Sequence, residues 1–230
     1  MPRGTEIPAI RLADIRCAID YISSHPQVDE NRIGAVGICA GGGYAICAAQ
    51  SDHRIRAVAG VSPVDIGGLT RRDIPFEERM KLLDEIGRQR TREFKGEPVR
   101  YGTFAPESPE TITDATPTLY REAYDYYRTP RGGHPNSTNR FPFTNMASWM
   151  AFHAFTHIDT ISPRPLLLIA GSKADTIEFS EKAFCKAQDP KELFRIPHAT
   201  HVDLYDKPEY VTPAVARLAA FFRDALGKSA

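Results

Sequence analysis

A six-residue apolar run, Ile33-Gly-Ala-Val-Gly-Ile38, leads through one cysteine, Cys39, into glycines at 41, 42 and 43 and then into the helix-forming stretch from Tyr44 to Gln50. The run is short, partly β-branched and preceded by the polar turn Asp29-Glu-Asn-Arg32, which reads as a strand. Past its glycines the following stretch is rich in alanine and reads as a helix. A strand that feeds a helix through so tight a turn must belong to a sheet whose face that helix covers.

The same alternation recurs. Residues 55–64 (IRAVAGVSPV), 165–171 (PLLLIAG) and 192–197 (ELFRIP) are further apolar runs, and the stretches 176–188 and 210–226 that follow the last two have helical composition. Before the first strand, Leu12, Ile15, Ile19 and Ile22 keep helical spacing until His25-Pro26 ends it. Strand and helix in alternation predict an α/β fold with a mostly parallel sheet flanked by helices. Four strands are expected.

Between Asp65 and Pro163 the alternation stops. The chain there carries a helical stretch, residues 75–94, and an aromatic-rich segment around residues 120–143. Insertions of this length are usually caps or lids. The expected organisation is a core of residues 1–64 and 163–230 interrupted by a helical, aromatic-rich cap of residues 65–162. Tyr127, Arg128 and Trp149 are candidate substrate contacts there, and Arg131 could join Arg128 against a substrate carboxylate. The aromatics equally suit the interior of the cap.

Composition removes several functions. The 29 basic and 29 acidic side chains balance, so no field draws the chain to nucleic acid or to an anionic membrane. No apolar run approaches the roughly 18 residues of a membrane span, and the first ten residues lack an export signal. The expected location is the cytoplasm, where Cys17, Cys39, Cys47 and Cys185 would stay thiols. They form no CxxC pair and no cluster with histidine, so no metal and no cofactor are expected. A homo-oligomer remains compatible with the sequence.

Gly37-Ile38-Cys39-Ala40-Gly41 fits the pattern G-x-nucleophile-x-G, with glycines expected where a side chain would strike neighbouring backbone. At the head of a helix, Cys39 would gain from the dipole as a thiolate, and the Ala40 N–H could serve an oxyanion. The bland alternative is a small buried hydrophobe at a strand–helix crossing. What favours chemistry is order: Asp175 follows one later strand and His201 the next, as nucleophile, acid and histidine require. Asp175 alone could be a helix cap and His201 a surface residue. His198 follows its strand too closely, Asp203 and Asp206 come after the histidine, and His134, His153 and His157 fall in the insertion.

The segments GICAGGGY, LLLIAGSKADT and HATHVDLYDKPEYV resemble the α/β-hydrolase superfamily, in particular its bacterial branch close to dienelactone hydrolase with a cysteine nucleophile. The likeness spans most of the chain, including residues 124–141. It implies a partial α/β-hydrolase fold with Cys39, Asp175 and His201 as nucleophile, orienting acid and general base. The departure is at the front, where strands that should precede the cysteine, and the loop carrying a second oxyanion donor, have no counterpart, so that the cysteine-bearing strand is expected at an exposed apolar edge. Losing one such donor costs about 2.7–4 kcal/mol of transition-state stabilisation. The chain is accordingly expected to be the carboxyl-terminal part of a longer hydrolase.

The expected function is hydrolysis of a small ester, lactone or thioester through an acyl-enzyme. Acyl transfer by the same residues is the alternative. A hydrolase remnant that binds a ligand or partner without catalysis is a third reading, which an unreactive Cys39 would favour.

Overall fold

The computed structural model describes residues 4–227. They divide into two compact units, one of residues 8–66 and 153–227, the other of residues 4–7 and 67–152.

The first unit opens with α1 (Pro8–Ser23), which starts a turn ahead of its apolar stripe because proline is tolerated in a first helical turn. Then come β1 (Ile33–Ile38), α2 (Ala40–Ala49) and β2 (Ile55–Val61). After the chain returns from the other unit, β5 (Leu166–Gly171), α7 (Ile177–Lys186), β6 (Lys191–Ile196), the short α8 (Asp203–Asp206) and α9 (Pro208–Leu226) complete it. The four strands form one parallel sheet in the order β1-β2-β5-β6. The fold is a partial α/β-hydrolase fold, a parallel sheet flanked by helices.

Every residue of β5 and nearly every one of β2 is buried, which is why these two read as unbroken apolar runs rather than alternating ones. On one face Ala57, Ala59, Val61, Leu167 and Ile169 join Ala214 and Phe221 of α9 in a single cluster. On the other, α2 lies so close that a Cβ on Gly60 would stand 3.0 Å from Ile46 Cδ1. Leu167, Leu168 and Ile169 are wholly buried, and each contributes about 1.5–3 kcal/mol by leaving water. β1 is an edge strand, as expected, with Val36 55% and Ile38 52% exposed.

A feature that sequence reading did not anticipate is the buried Arg164. Its guanidinium donates to the carbonyls of Ala49 (2.7 Å), Ile55 (2.8 Å), Asp52 (3.2 Å) and Thr160 (3.1 Å). One charge thus satisfies carbonyls at the end of α2, before and within β2, and in the chain entering β5.

The second unit carries most of α3 (Ile66–Asp73), then β3 (Tyr101–Thr103) between α4 (Phe76–Phe94) and α5 (Thr118–Tyr127), and β4 (Arg140–Pro142) before α6 (Met146–Met150). β3 and β4 pair antiparallel. At three residues each they are too short for alternation to register in the sequence. Phe141 packs on Trp149 at 4.5 Å between ring centroids, and Phe143 and Trp149 are buried. These aromatics build the interior of the unit itself. A Cβ on Gly67 would come within 2.0 Å of the Phe152 carbonyl oxygen, so α3 and the end of α6 touch backbone to backbone. Arg71 ties the same place by donating to the Met150 and Phe152 carbonyls at 2.7 and 2.8 Å.

Candidate active site

Cys39 occupies the one residue between β1 and α2, with φ +56° and ψ −127°. Side chains other than glycine rarely adopt such a backbone, which costs on the order of 1–3 kcal/mol and persists only where the surroundings enforce it. Here they do. The Cys39 N–H donates to the Val61 carbonyl (3.0 Å), and its carbonyl accepts from Val64 N (2.9 Å) and Gly42 N (3.0 Å). A Cβ on Gly37 would lie 2.2 Å from the Gly41 carbonyl oxygen, and one on Gly43 2.1 Å from that of Val64. At Gly41, by contrast, a Cβ would meet nothing within 4 Å. The expectation that Gly41 is sterically required is therefore wrong: the position tips outward from the turn, and the close approaches fall on Gly37 and Gly43.

His201 lies in the loop leaving β6 and is completely buried. That loop sits tightly on the end of β5, since a Cβ on Gly171 would be 2.3 Å from the Ala199 carbonyl oxygen and 2.5 Å from that of Thr200. Lys173 N donates to the Ala199 carbonyl (2.9 Å), and Ser62 Oγ to the His201 carbonyl (3.3 Å). The imidazole is held at both nitrogens, Nδ1 by Thr176 Oγ1 at 2.6 Å and Nε2 by the Tyr205 hydroxyl at 2.9 Å. The Tyr205 hydroxyl and the Ala40 N–H are the neighbours that favour the charged form of the Cys39 sulfur.

Cys39 and His201 are therefore brought to one place through a third residue, and no hydrogen bond joins them directly. Asp175 lies half-buried in the loop between β5 and α7, one residue before Thr176, and Thr176 rather than Asp175 holds Nδ1. Thr176 and Tyr205 are the two site residues that sequence reading missed. Tyr205 follows His201 by four residues, but only the turn of α8 makes that spacing a contact. Asp203 maintains the turn by accepting the Thr200 N–H (3.0 Å) and pairing with Lys207 (2.6 Å). His198 is exposed and His134 caps its own loop, accepting from Asn136 N at 3.1 Å.

In the other unit, Tyr127 ends α5 with its ring edge-on to Tyr126. Arg128 pairs with Glu107 at 3.1 Å and Arg131 with Asp125 at 2.6 Å. The Trp149 indole N–H donates to the Glu6 carbonyl at 2.6 Å. Both arginines and Trp149 thus have partners within the protein.

Burial governs the electrostatics of the pair. It pushes the Cys39 thiol above its ordinary value, and the Tyr205 hydroxyl and Ala40 N–H only partly offset this. Loss of water around the sulfur thus works against the thiolate expected at the head of the helix. Burial likewise pushes His201 down to about 4, with no carboxylate acting to raise it. At neutral pH the site holds a thiol beside a neutral imidazole. Among the described residues no group of His, Cys, Asp and Glu side chains could hold a metal ion, and no helix is long and apolar enough to cross a membrane.

A strand, a strained single-residue turn and a helix, with a histidine after the last strand of a parallel sheet, define an α/β-hydrolase architecture. Comparison with known proteins agrees. The acetyl xylan esterase (AXE1) family profile matches residues 11–71, the segment that contains Cys39. Protein PA2218 of Pseudomonas aeruginosa is 36% identical over 98% of this chain and 61% of its own length. Its crystal structure superposes with a TM-score of 0.88, covering 98% of this chain and 71% of that one. YcjY of Escherichia coli is 33% identical over 98% of this chain and 74% of its own length. The α/β hydrolase GrgF of Penicillium sp. sh18, at 20% identity, shares the fold with a TM-score of 0.79 over 99% of this chain and 75% of that one. The chain belongs to the family of YcjY, and it spans about three-fifths of the length of PA2218 and three-quarters of that of YcjY.

Proposed function

We propose that the chain is the catalytic part of a cysteine-dependent, dienelactone-hydrolase-like acyl hydrolase acting on a small ester, lactone or thioester. Cys39 is the nucleophile, His201 the general base, Asp175, one residue before the Thr176 that holds Nδ1, the acid of the triad, and the Ala40 N–H a donor to the oxyanion. The observation that carries the reading is the link from Cys39, at its strained turn, through Tyr205 to the buried imidazole of His201. The acetyl xylan esterase profile match supports an ester as the bond attacked.

Because thiol and imidazole are both neutral at pH 7, the proton must leave sulfur as sulfur attacks. The S–C bond forms, the proton reaches the imidazole, and the carbonyl oxygen becomes an oxyanion held by the Ala40 N–H. Collapse expels the alcohol or thiol, which takes the proton back from the imidazolium and leaves an acyl-cysteine. Water, deprotonated by His201, then releases the acid. An alcohol or thiol in place of that water would give acyl transfer, so analysis of products with added acceptors separates the two outcomes. A cytoplasmic location belongs to the same reading, supported by four cysteines that all remain free thiols.

The test is burst kinetics of a short p-nitrophenyl ester with the wild-type chain, Cys39→Ala and Cys39→Ser. The expected result is a burst of one nitrophenolate per chain that Cys39→Ala abolishes. A burst that survives Cys39→Ala, or its absence from a wild-type chain shown to be folded, overturns the proposal.

A further inference from the structure

The hydroxyl of Tyr205 lies 2.9 Å from Nε2 of His201 and is also the side chain that favours the charged form of the reacting sulfur of Cys39, while Cys39 and His201 share no direct hydrogen bond. A phenol hydroxyl has one proton to give and lone pairs to accept, so it can satisfy both neighbours only in a directed chain. With His201 neutral and its Nδ1–H donated to Thr176 Oγ1, Nε2 is an acceptor. Tyr205 then donates to Nε2 and accepts from the thiol. The reverse chain, imidazolium to phenol to thiolate, uses the same three heavy atoms with both protons moved one place.

We propose that Tyr205 is a proton relay between Cys39 and His201. As sulfur attacks, the S–H bond breaks and its proton binds the Tyr205 oxygen. The original phenol proton passes to Nε2, and Tyr205 ends as it began. No other reactant is needed. The inference rests on the reading of Cys39 and His201 as a nucleophile–base pair, and it assigns a role to a residue outside that pair.

The fold supports the role beyond the two contacts. Tyr205 stands on α8, whose turn is fixed by the Asp203 carboxylate accepting the Thr200 N–H and pairing with Lys207. Its ring meets the imidazole edge-on at 5.6 Å between centroids. Tyr205→Phe therefore keeps the packing and removes only the hydroxyl.

The experiment measures alkylation of Cys39 by iodoacetamide at pH 7.5, resolved from Cys17, Cys47 and Cys185 by peptide mapping, for wild type, Tyr205→Phe, His201→Gln and the double variant. A relay predicts that Tyr205→Phe slows Cys39 by on the order of tenfold or more. His201→Gln should slow it comparably, and the double variant should be no slower than the worse single one, because both break one chain. Wild-type reactivity in Tyr205→Phe overturns the relay, as do penalties that multiply in the double variant. Should Tyr205→Phe fail to fold, 3-fluorotyrosine at position 205, a more acidic hydroxyl of nearly the same shape, must change the alkylation rate, and an unchanged rate overturns the relay. The readout needs no substrate. Slowed alkylation without an ester burst would sustain the relay and sink the hydrolase, whereas a burst with unchanged alkylation would do the opposite.

Discussion

The turn that carries Cys39 and the loop that carries His201 meet at one site but are held by different physics. The first is fixed by backbone against backbone: Gly37 and Gly43 admit carbonyl oxygens where any Cβ would collide, and the strained φ of Cys39 is enforced by main-chain hydrogen bonds. The second combines one such approach, at Gly171, with side chains, Thr176 and Tyr205 on the ring and Asp203 on the turn. A backbone device tolerates almost no substitution at its contact points. A side-chain device tolerates change in graded steps, each costing about one hydrogen bond.

The sharpest way to break this contrast is inside the turn. Gly37→Ala forces a Cβ to 2.2 Å from the Gly41 carbonyl oxygen, and the backbone must yield. We expect a loss of about 3 kcal/mol or more, at or beyond the upper end of overpacking costs, or no folded protein at all. Gly41→Ala, four residues on, places its Cβ in open space within α2. It should be neutral or stabilising by up to about 1 kcal/mol, since alanine outranks glycine in a helix. Urea unfolding of the two variants decides: equal losses would mean that the turn is not held by this contact.

The histidine loop should reveal itself through pH. His201 has a folded-state value of about 4 against an ordinary 6.5. Between these the unfolded chain binds a proton that the folded chain refuses, so stability rises with pH across the window. It is fully present above about 6.5 and lost as the pH falls toward 4, by about 3 kcal/mol. Carboxylates titrate nearby in wild type and variant alike, so the difference between wild type and His201→Gln isolates the histidine. Urea midpoints from pH 4.5 to 7.5 should fall more steeply for wild type, and parallel curves would mean that the imidazole is not buried neutral.

How far each part could be read beforehand follows the same division. The strands were legible because buried parallel strands must be apolar runs, and the turn because glycines mark sites where backbone approaches backbone. Gly41 misleads because a glycine in a motif looks required whether or not its missing Cβ would touch anything. Tyr205 and Thr176 were invisible for another reason. A hydroxyl becomes a ligand of an imidazole only when loop geometry is known, and Asp175 and Thr176 are one residue apart in a loop whose twist the sequence does not state. Arg164 escaped similarly, since its partners are carbonyls that no residue type advertises.

That last ambiguity sets the smallest expected effect and the finest test. A carboxylate at Nδ1 can only accept and so forces the Nδ1–H tautomer, leaving Nε2 free as a base. A threonine hydroxyl can also donate, and if it did, Nε2 would carry the proton and the base would be lost. The competent arrangement has Nδ1–H donating to Thr176 Oγ1 at 2.6 Å. Thr176→Val keeps the shape and removes the acceptor, leaving a buried N–H unsatisfied at about 1–3 kcal/mol of stability. It should also mix the tautomers seen in 15N spectra of the ring, and Thr176→Ser should restore them. Asp175→Asn, at a side chain that holds neither ring nitrogen, should leave the tautomer in place. The reverse pattern, a tautomer that responds to Asp175→Asn and ignores Thr176→Val, would transfer control of the ring to the carboxylate and make the histidine loop as rigidly specified as the cysteine turn.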